Sequence, residues 1–273
     1  MQDEAGTERL VELLRDRRLA LNDITPDISF HAANPRFESE ARAALAAADV
    51  VYVCGQLEAE ALRVLLPTVD VISTPPPVPL SVAPKAVDAL VGREGFVLLH
   101  APIESSQNQL QAVRAAERTE LPLVIVGPTT DADYAATLRA FAGDRTLIVG
   151  EPDAATLEGL YRRAEVFLDI AWVGCGLARC ARAISRGAAL VVSARMPSGD
   201  LGMTDFAYAV DPADVEAIAR GLGDAWYRRL QTPEEFARAR VQFATRAGVR
   251  SVTRAVVAGY SQALERRNSL VAR

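Results

Sequence analysis

The clearest candidate for chemistry is the stretch 165–193, which is predicted to form a strand, a glycine-containing turn, a helix and a second strand. Gly174 and Gly176 fall in the turn, and the helix is predicted to begin near Leu177. Glycines let the main chain approach a ligand closely, and the N-terminal amides of a helix bind anions such as phosphate. The stretch therefore predicts an anion site at its turn.

Four charged or ionisable side chains could serve that site. Arg179 and Arg182 lie in the predicted helix, where each either reaches a bound anion or faces solvent. His100 ends an earlier strand, and it either polarises a phosphate, acts as a base or is an ordinary strand-end histidine. Asp169 lies near the end of its strand, where its carboxylate could bind a hydroxyl group. Asp200 and Asp205, in the loop before the strand 206–210, are two further candidates.

Strands and helices that alternate along the chain must position these residues. The strands are near-continuous apolar runs, which is typical of a parallel sheet covered by helices on both faces. Ligands of such sheets bind at the carboxyl ends of the strands. The predicted strands are 49–55, 69–73, 96–100, 121–127, 145–150, 165–170, 188–193 and 206–210. The predicted helices are 8–21, 37–48, 56–66, 107–118, 131–142, 153–164, 177–186, 212–229, 233–246 and 250–267.

Two helix starts carry capping signals. Asp211 precedes Pro212 and is predicted to cap the following helix, with Asp214 at its third position. The run Thr232-Pro233-Glu234-Glu235 is predicted to form a capping box with proline in the first turn.

A proline-rich segment suggests the domain boundary. Residues 74–84 contain five prolines, which favours a stiff extended linker. We therefore predict a partial first portion over 1–84 and a Rossmann-like domain over 85–230. The helices of 231–273 are predicted to pack back on the first portion.

Composition narrows the class of protein. The chain has 273 residues and a formal net charge of -5, so no general attraction to nucleic acid or to an anionic membrane is expected. No apolar run is long enough to span a bilayer, and the acidic N-terminus is unlike a secretory signal. Cys54, Cys175 and Cys180 lack metal-like spacing. We predict a cytoplasmic protein with reduced thiols, no metal and no cofactor.

Five strings, in order, resemble the donor-binding domain of the group 1 (family 4) GT-B glycosyltransferases. The resemblance implies a site for a nucleotide-sugar. Its diphosphate would lie on the glycine turn and the helix N-terminus, and the donor-binding set would be Gly174, Gly176, Leu177, Arg179, Arg182, His100, Gln107 and Asn108. The strings are LPLVIVG (121–127), DAATLEGLYRRAEVFL (153–168), GCGL (174–177), SRGAALVVS (185–193) and YAVDPADVEAIARGL (208–222).

The sequence departs from the family at its charged positions. One glutamate position falls on Val173, and the other falls on Ala181 or Arg182, depending on the alignment. The lysine position falls on Gln107, whereas Asn108 matches the asparagine that often follows it. In a simple reading, the acids and cations that would bind the sugar, the ribose and the leaving group are therefore missing.

Three hypotheses follow. The protein is a glycosyltransferase that transfers a hexosyl group with altered site residues, or a non-catalytic glycosyltransferase-like protein that binds a ligand or a partner, or a truncated remnant. The shortened first portion leaves a surface that needs a cover, and the terminal helices, a second copy of the chain or a partner glycosyltransferase could supply it, unless the chain is a fragment of a longer protein. No nucleic acid partner is expected.

Overall fold

The computed structural model of the chain describes residues 35–78, 82–86, 95–172, 176–195 and 207–271. The predicted helix 8–21 lies outside these ranges. Within them, no helix combines the length and the apolar character needed to cross a membrane.

The first portion contains a small parallel sheet. Helix α1 (Pro35–Ala46) precedes strand β1 (Val50–Val53), which leads through helix α2 (Gln56–Leu65) to strand β2 (Asp70–Ser73). The two strands pair in parallel. Val53 and Val71 bury their side chains with Ala59 of α2, so a small apolar core forms on one face of this sheet.

The main sheet has six parallel strands in the spatial order β5-β4-β3-β6-β7-β8. Its strands are β3 (Val97–His100), β4 (Leu123–Val126), β5 (Thr146–Gly150), β6 (Val166–Asp169), β7 (Ala189–Ser193) and β8 (Ala207–Val210). The helices along this part of the chain are α3 (Gln109–Thr119), α4 (Ala132–Phe141), α5 (Ala154–Arg163), α6 (Leu177–Arg186) and α7 (Val215–Gln231). A short 3-10 turn, Ser105–Gln107, precedes α3. The predicted α/β Rossmann-like fold is confirmed.

Each face of the main sheet has its own apolar core, because successive side chains of a strand point to opposite faces. Val97 and Leu99 contribute to the core that also contains residues of α3, α4 and α7. Phe96 and Leu98 contribute to the other core, which contains residues of α5 and α6. Helices therefore cover both faces, as the continuous apolar strands predicted.

Both capping predictions are wrong in detail. Asp214 is the N-cap of α7 and accepts hydrogen bonds from the amides of Glu216 and Ala217. Asp211 instead accepts from the amide of Ala213 in the preceding turn. Thr232 occupies the N-cap of the next helix, but its hydroxyl donates to the carbonyl of Arg228 and makes no cap bond. The hydroxyl is thus bonded to the preceding helix, which ends at Gln231, and accepts no bond from the first amides of the helix that follows.

Two further helices complete the described chain, α8 (Pro233–Ala247) and α9 (Val249–Val271). The end of α8 accepts a hydrogen bond from the amide of Val78. Helix α9 lies on β1, where the Tyr52 hydroxyl donates to the carbonyl of Val256 at 2.6 Å. Gly259 faces the same hydroxyl, since a Cβ there would lie 2.3 Å from it. The exact domain boundaries stay a prediction.

Candidate functional site

The candidate site lies where the order of the strands reverses. From β3 the chain moves outward to β4 and β5, and from β6 it moves outward the other way to β7 and β8. Strands β3 and β6 are paired only through Val97 with Val166 and Leu98 with Phe167, so their carboxyl ends part. Such a switch point forms a crevice that binds ligands in open α/β sheets.

Asp169 ends β6 at this crevice, and its side chain is only 5% exposed. The Cα of Gly176 lies against its carboxylate, because a Cβ at Gly176 would come within 1.5 Å of Asp169 Oδ2. Burial raises the pKa of Asp169, and the charge of Arg179 opposes that shift. Position 176 thus requires glycine, because a larger residue would clash with the Asp169 carboxylate. The N-terminus of α6 lies directly beside this carboxyl group.

Arg179 connects the two sides of the crevice. One of its terminal nitrogens, Nη2, lies 3.4 Å from Asp169 Oδ2 and 3.4 Å from Gln107 Oε1. Its Nε is buried and has no hydrogen-bond partner within the described residues. The side chain is 26% exposed, so Arg179 remains partly accessible. The family resemblance placed a lysine at Gln107, and the structure brings the cation of Arg179 to that side chain.

Glu104 is an acid at this rim that the sequence analysis missed. Its carboxylate accepts hydrogen bonds from the hydroxyls of Ser106 and Thr130, and Gln107 lies close to the same group. These hydrogen bonds, that from Ser106 foremost, lower the pKa of Glu104. The only sequence signal was its place in the loop after β3, one of the loops that face the crevice.

His100 ends β3 and is hydrogen-bonded to a buried tyrosine. Its Nδ1 lies 2.8 Å from the hydroxyl oxygen of Tyr161, and the two rings meet edge to face. Burial, followed by the charges of Arg179 and Arg182, lowers the pKa of His100 to about 4. The imidazole is therefore neutral near pH 7, with one nitrogen that donates and one that accepts a hydrogen bond.

Arg182 is directed away from the anion site. Its guanidinium lies over the ring of Tyr161, 4.6 Å from the centroid, and one terminal nitrogen is 3.2 Å from Glu158 Oε2. Glu158 is fully buried and also pairs with Arg162 and Arg186. Burial would raise the pKa of Glu158, but hydrogen bonds from Arg186 and Arg162 lower it to about 2. The sequence analysis did not predict this cluster.

The remaining predicted site residues have structural environments of their own. Asn108 adopts the left-handed conformation, with φ of 61°, and its amide donates to the carbonyls of Ile170 and Pro212. Leu177 is buried in the core, so only its main chain can contact a ligand. Ala181 is buried as well. Gly174 lies outside the described residues, as do the alternative acid position Val173 and the residues Cys175, Asp200 and Asp205.

The crevice thus combines a partly exposed arginine side chain, a buried carboxyl group and a neutral imidazole. A guanidinium binds phosphate oxygens through directed hydrogen bonds, and carboxyl and imidazole groups can hydrogen-bond hydroxyls. This set suits a ligand with both phosphate and hydroxyl groups. Among the described residues, no group of three or more His, Cys, Asp or Glu side chains could hold a metal ion.

Comparisons with known proteins identify the fold. No family model and no curated protein matches the sequence. Among solved structures, sucrose-phosphate synthase from Thermosynechococcus elongatus matches 90% of this chain with a TM-score of 0.66 and 19% identity. A glycosyltransferase from Rickettsia africae ESF-5 matches 85% with a TM-score of 0.68 and 13% identity. Anabaena HepE in complex with UDP and glucose matches 86% with a TM-score of 0.67 and 14% identity.

The chain has the fold of the GT-B glycosyltransferases, and the resemblance is confirmed at that level. It spans 65% of the length of the sucrose-phosphate synthase, 68% of the Rickettsia protein and 69% of HepE.

Proposed function

We propose that the protein is a glycosyltransferase that binds a nucleotide-sugar in the crevice between β3 and β6 and transfers its hexosyl group to an acceptor. The observation that carries this proposal is the position of Arg179. Its guanidinium joins Gln107, from the loop after β3, to Asp169, at the end of β6. The solved structure of HepE shows that a protein of this fold binds UDP and glucose, which are the components of a nucleotide-sugar.

Arg179 would stabilise the leaving diphosphate. A cation supplied by α6 replaces, in this proposal, the cation missing from the loop after β3. Fixed positive charge is most effective where negative charge develops in the transition state. Asp169 would accept a hydrogen bond from a sugar hydroxyl, and His100 would donate or accept one as a neutral group.

Calorimetric titration with UDP, GDP, ADP and their sugar conjugates tests the proposal. We expect micromolar binding of one nucleotide by the native protein. Arg179→Gln should weaken it by roughly 10- to 100-fold, because a charged hydrogen bond is lost. Gly176→Val should abolish nucleotide binding, since the added side chain would meet the Asp169 carboxylate.

Arg139→Gln is the matched control. Arg139 is exposed in the last turn of α4, so this variant removes the same charge outside the crevice. Binding should be unchanged. A native protein that binds none of the nucleotides, or equal weakening in both arginine variants, would contradict the proposal.

A second candidate function, a non-catalytic ligand-binding protein, is supported by the ion pair within the site. The charge of Arg179 is already partly offset by Asp169 at 3.4 Å. Less positive charge is therefore left to stabilise the diphosphate as it leaves. Release of nucleoside diphosphate from a bound nucleotide-sugar, measured over time, separates the two functions. Binding without release, with or without candidate acceptors, would favour the second.

We also propose a cytoplasmic location. In a reducing compartment the two cysteines within the described residues, exposed Cys54 and buried Cys180, remain thiols.

A further inference from the structure

Helix α9 carries an exposed apolar face. Val257, Tyr260 and Leu264 are 56%, 57% and 60% exposed, and their spacing places them on one side of the helix. Val249, two turns earlier on the same side, is 44% exposed. We call these four residues the α9 face. On the adjacent side of the helix, Val252 and Ala263 are buried.

The apolar surface continues beyond the α9 face into a groove. Val249 belongs to both, and the groove has a volume of about 440 Å³. Its lining is almost entirely apolar and consists of Pro77, Val78, Val249, Val252, Thr253 and Val256. The face and the groove together form one extended apolar surface.

Three exposed arginines flank the α9 face. Arg250 and Arg254 lie along one side of it, and Arg267 lies near the other side, seven residues after Tyr260. Within the described residues, none of the three makes an ion pair. The neighbouring Arg266, by contrast, pairs with Asp70. The helix holds four arginines and one acid, Glu265, so it is locally cationic although the whole chain has a net charge of -5.

We propose that the α9 face and its flanking arginines are a docking surface for an anionic lipid bilayer. Arginines bind lipid phosphates, while apolar side chains between them insert at the level of the head groups. Tyr260 suits this boundary, because its ring is apolar and its hydroxyl is polar. The open groove can accept part of an acyl chain. The proposal is independent of nucleotide-sugar binding.

The charges favour this occupant over a second copy of the chain. A two-fold contact through the α9 face would bring together two helices that each carry four arginines and one glutamate, and like net charges oppose such an interface. An anionic bilayer complements all three arginines at once.

Sedimentation of the full chain with vesicles tests the proposal. We expect binding to phosphatidylcholine vesicles that contain phosphatidylglycerol, no binding to phosphatidylcholine alone, and release at high salt. The triple variant Arg250→Gln, Arg254→Gln, Arg267→Gln should reduce partitioning by roughly a hundredfold, since each arginine contributes near an anionic surface. Val257→Ser with Leu264→Ser should also reduce it, because apolar insertion is lost.

A triple variant of equal charge change serves as control, Arg139→Gln, Arg145→Gln, Arg220→Gln. Its positions are exposed on other elements, so binding should persist. No binding to anionic vesicles, or equal loss in both triple variants, would overturn the proposal. So would dimerisation in solution that Val257→Ser abolishes, because the face would then bind a second copy. All substituted side chains are exposed, and unchanged thermal midpoints would show that folding is intact.

Discussion

His100 is held as a neutral group by its surroundings. The hydrogen bond with Tyr161 fixes the ring at Nδ1, while burial and the arginines of α6 oppose a further positive charge. Burial also raises the pKa of Tyr161, so its phenol stays protonated at physiological pH. A neutral imidazole at the end of β3 can hydrogen-bond a hydroxyl or a phosphate without adding charge to the crevice.

We predict that His100 titrates far below an ordinary histidine. In His31→Gln, which leaves one histidine in the sequence, its NMR signal should shift with a midpoint of about 4 rather than 6.5. Arg179→Gln should raise that midpoint, because a nearby positive charge is removed, and Arg139→Gln should leave it unchanged. A native midpoint close to 6.5 would show that burial and the arginines do not act as described.

The same shift affects stability, and its sign follows from the two pKa values. Above pH 6.5, His100 is neutral in both the folded and the unfolded chain. Between pH 6.5 and about 4 the unfolded chain binds a proton that the folded protein does not bind. This residue therefore lowers the free energy of unfolding as the pH falls through that window. Replacement of His100 by Gln should remove its contribution.

At the scale of elements, α6 presents its arginines to two different environments. Arg179 turns toward the crevice, and Arg182 and Arg186 turn toward Glu158 on α5. The pair of helices is thus joined by buried charge, while the first turn of α6 is left beside Asp169. This division separates a residue available to a ligand from residues committed to the packing of helices.

The start of α7 offers a test of local structure. Asp214→Ala should lower the free energy of unfolding by about 1 kcal/mol, because the amides of residues 216 and 217 lose their acceptor. Asp211→Ala is the matched control and should cost less, since the Asp211 carboxylate accepts a bond from Ala213 in the turn before the helix and does not cap the helix itself. Chemical denaturation measures both values. A larger loss for Asp211 would mean that the helix begins where the sequence pattern placed it.

At the scale of the molecule, Glu158 is a central point of charge. It lies between α5 and α6, is fully buried, and faces three arginines that would otherwise repel one another. Removal of one partner from a buried ionic cluster leaves uncompensated charge, which is strongly destabilising.

Glu158→Gln should lower the free energy of unfolding near neutral pH by about 3 kcal/mol. The native carboxylate has a lowered pKa, so its stabilisation is present above pH 4.5 and is lost as the pH falls toward about 2. The variant should lack this part of the acid dependence. Glu117→Gln, at an exposed position of α3, should retain it. Denaturant titrations across this pH range make the comparison, and parallel curves for native protein and Glu158→Gln would contradict the assignment.

The small sheet and the main sheet are linked by the C-terminal helices. Helix α8 binds the segment after β2 through Val78, and α9 covers β1 through Tyr52. The outer side of α9 stays exposed, and it is this side that we propose to meet lipid. Helix α9 thus supports the first portion on one side and, on the other, presents apolar side chains flanked by arginines.

The sequence by itself determined the order of strands and helices, the parallel sheet and the placement of His100 and Asp169 at strand ends. The spacing of apolar residues and the length of apolar runs are local properties of the sequence, so they predict helices and strands without knowledge of the tertiary structure. The helix cap shows the limit of local information, because both Asp211 and Asp214 satisfied the pattern and only the path of the chain selected Asp214.

Only the tertiary structure decided which charged groups meet. Gln107 and Arg179 are distant in sequence, as are Glu158 and Arg186, and they come together because the strand order reverses and because α5 packs beside α6. The exposed side of α9 was also undetermined, since an amphipathic pattern does not show which face a neighbouring sheet will bury. Contacts between remote residues depend on packing of the whole chain, and that is why the site's charges could not be assigned from the sequence.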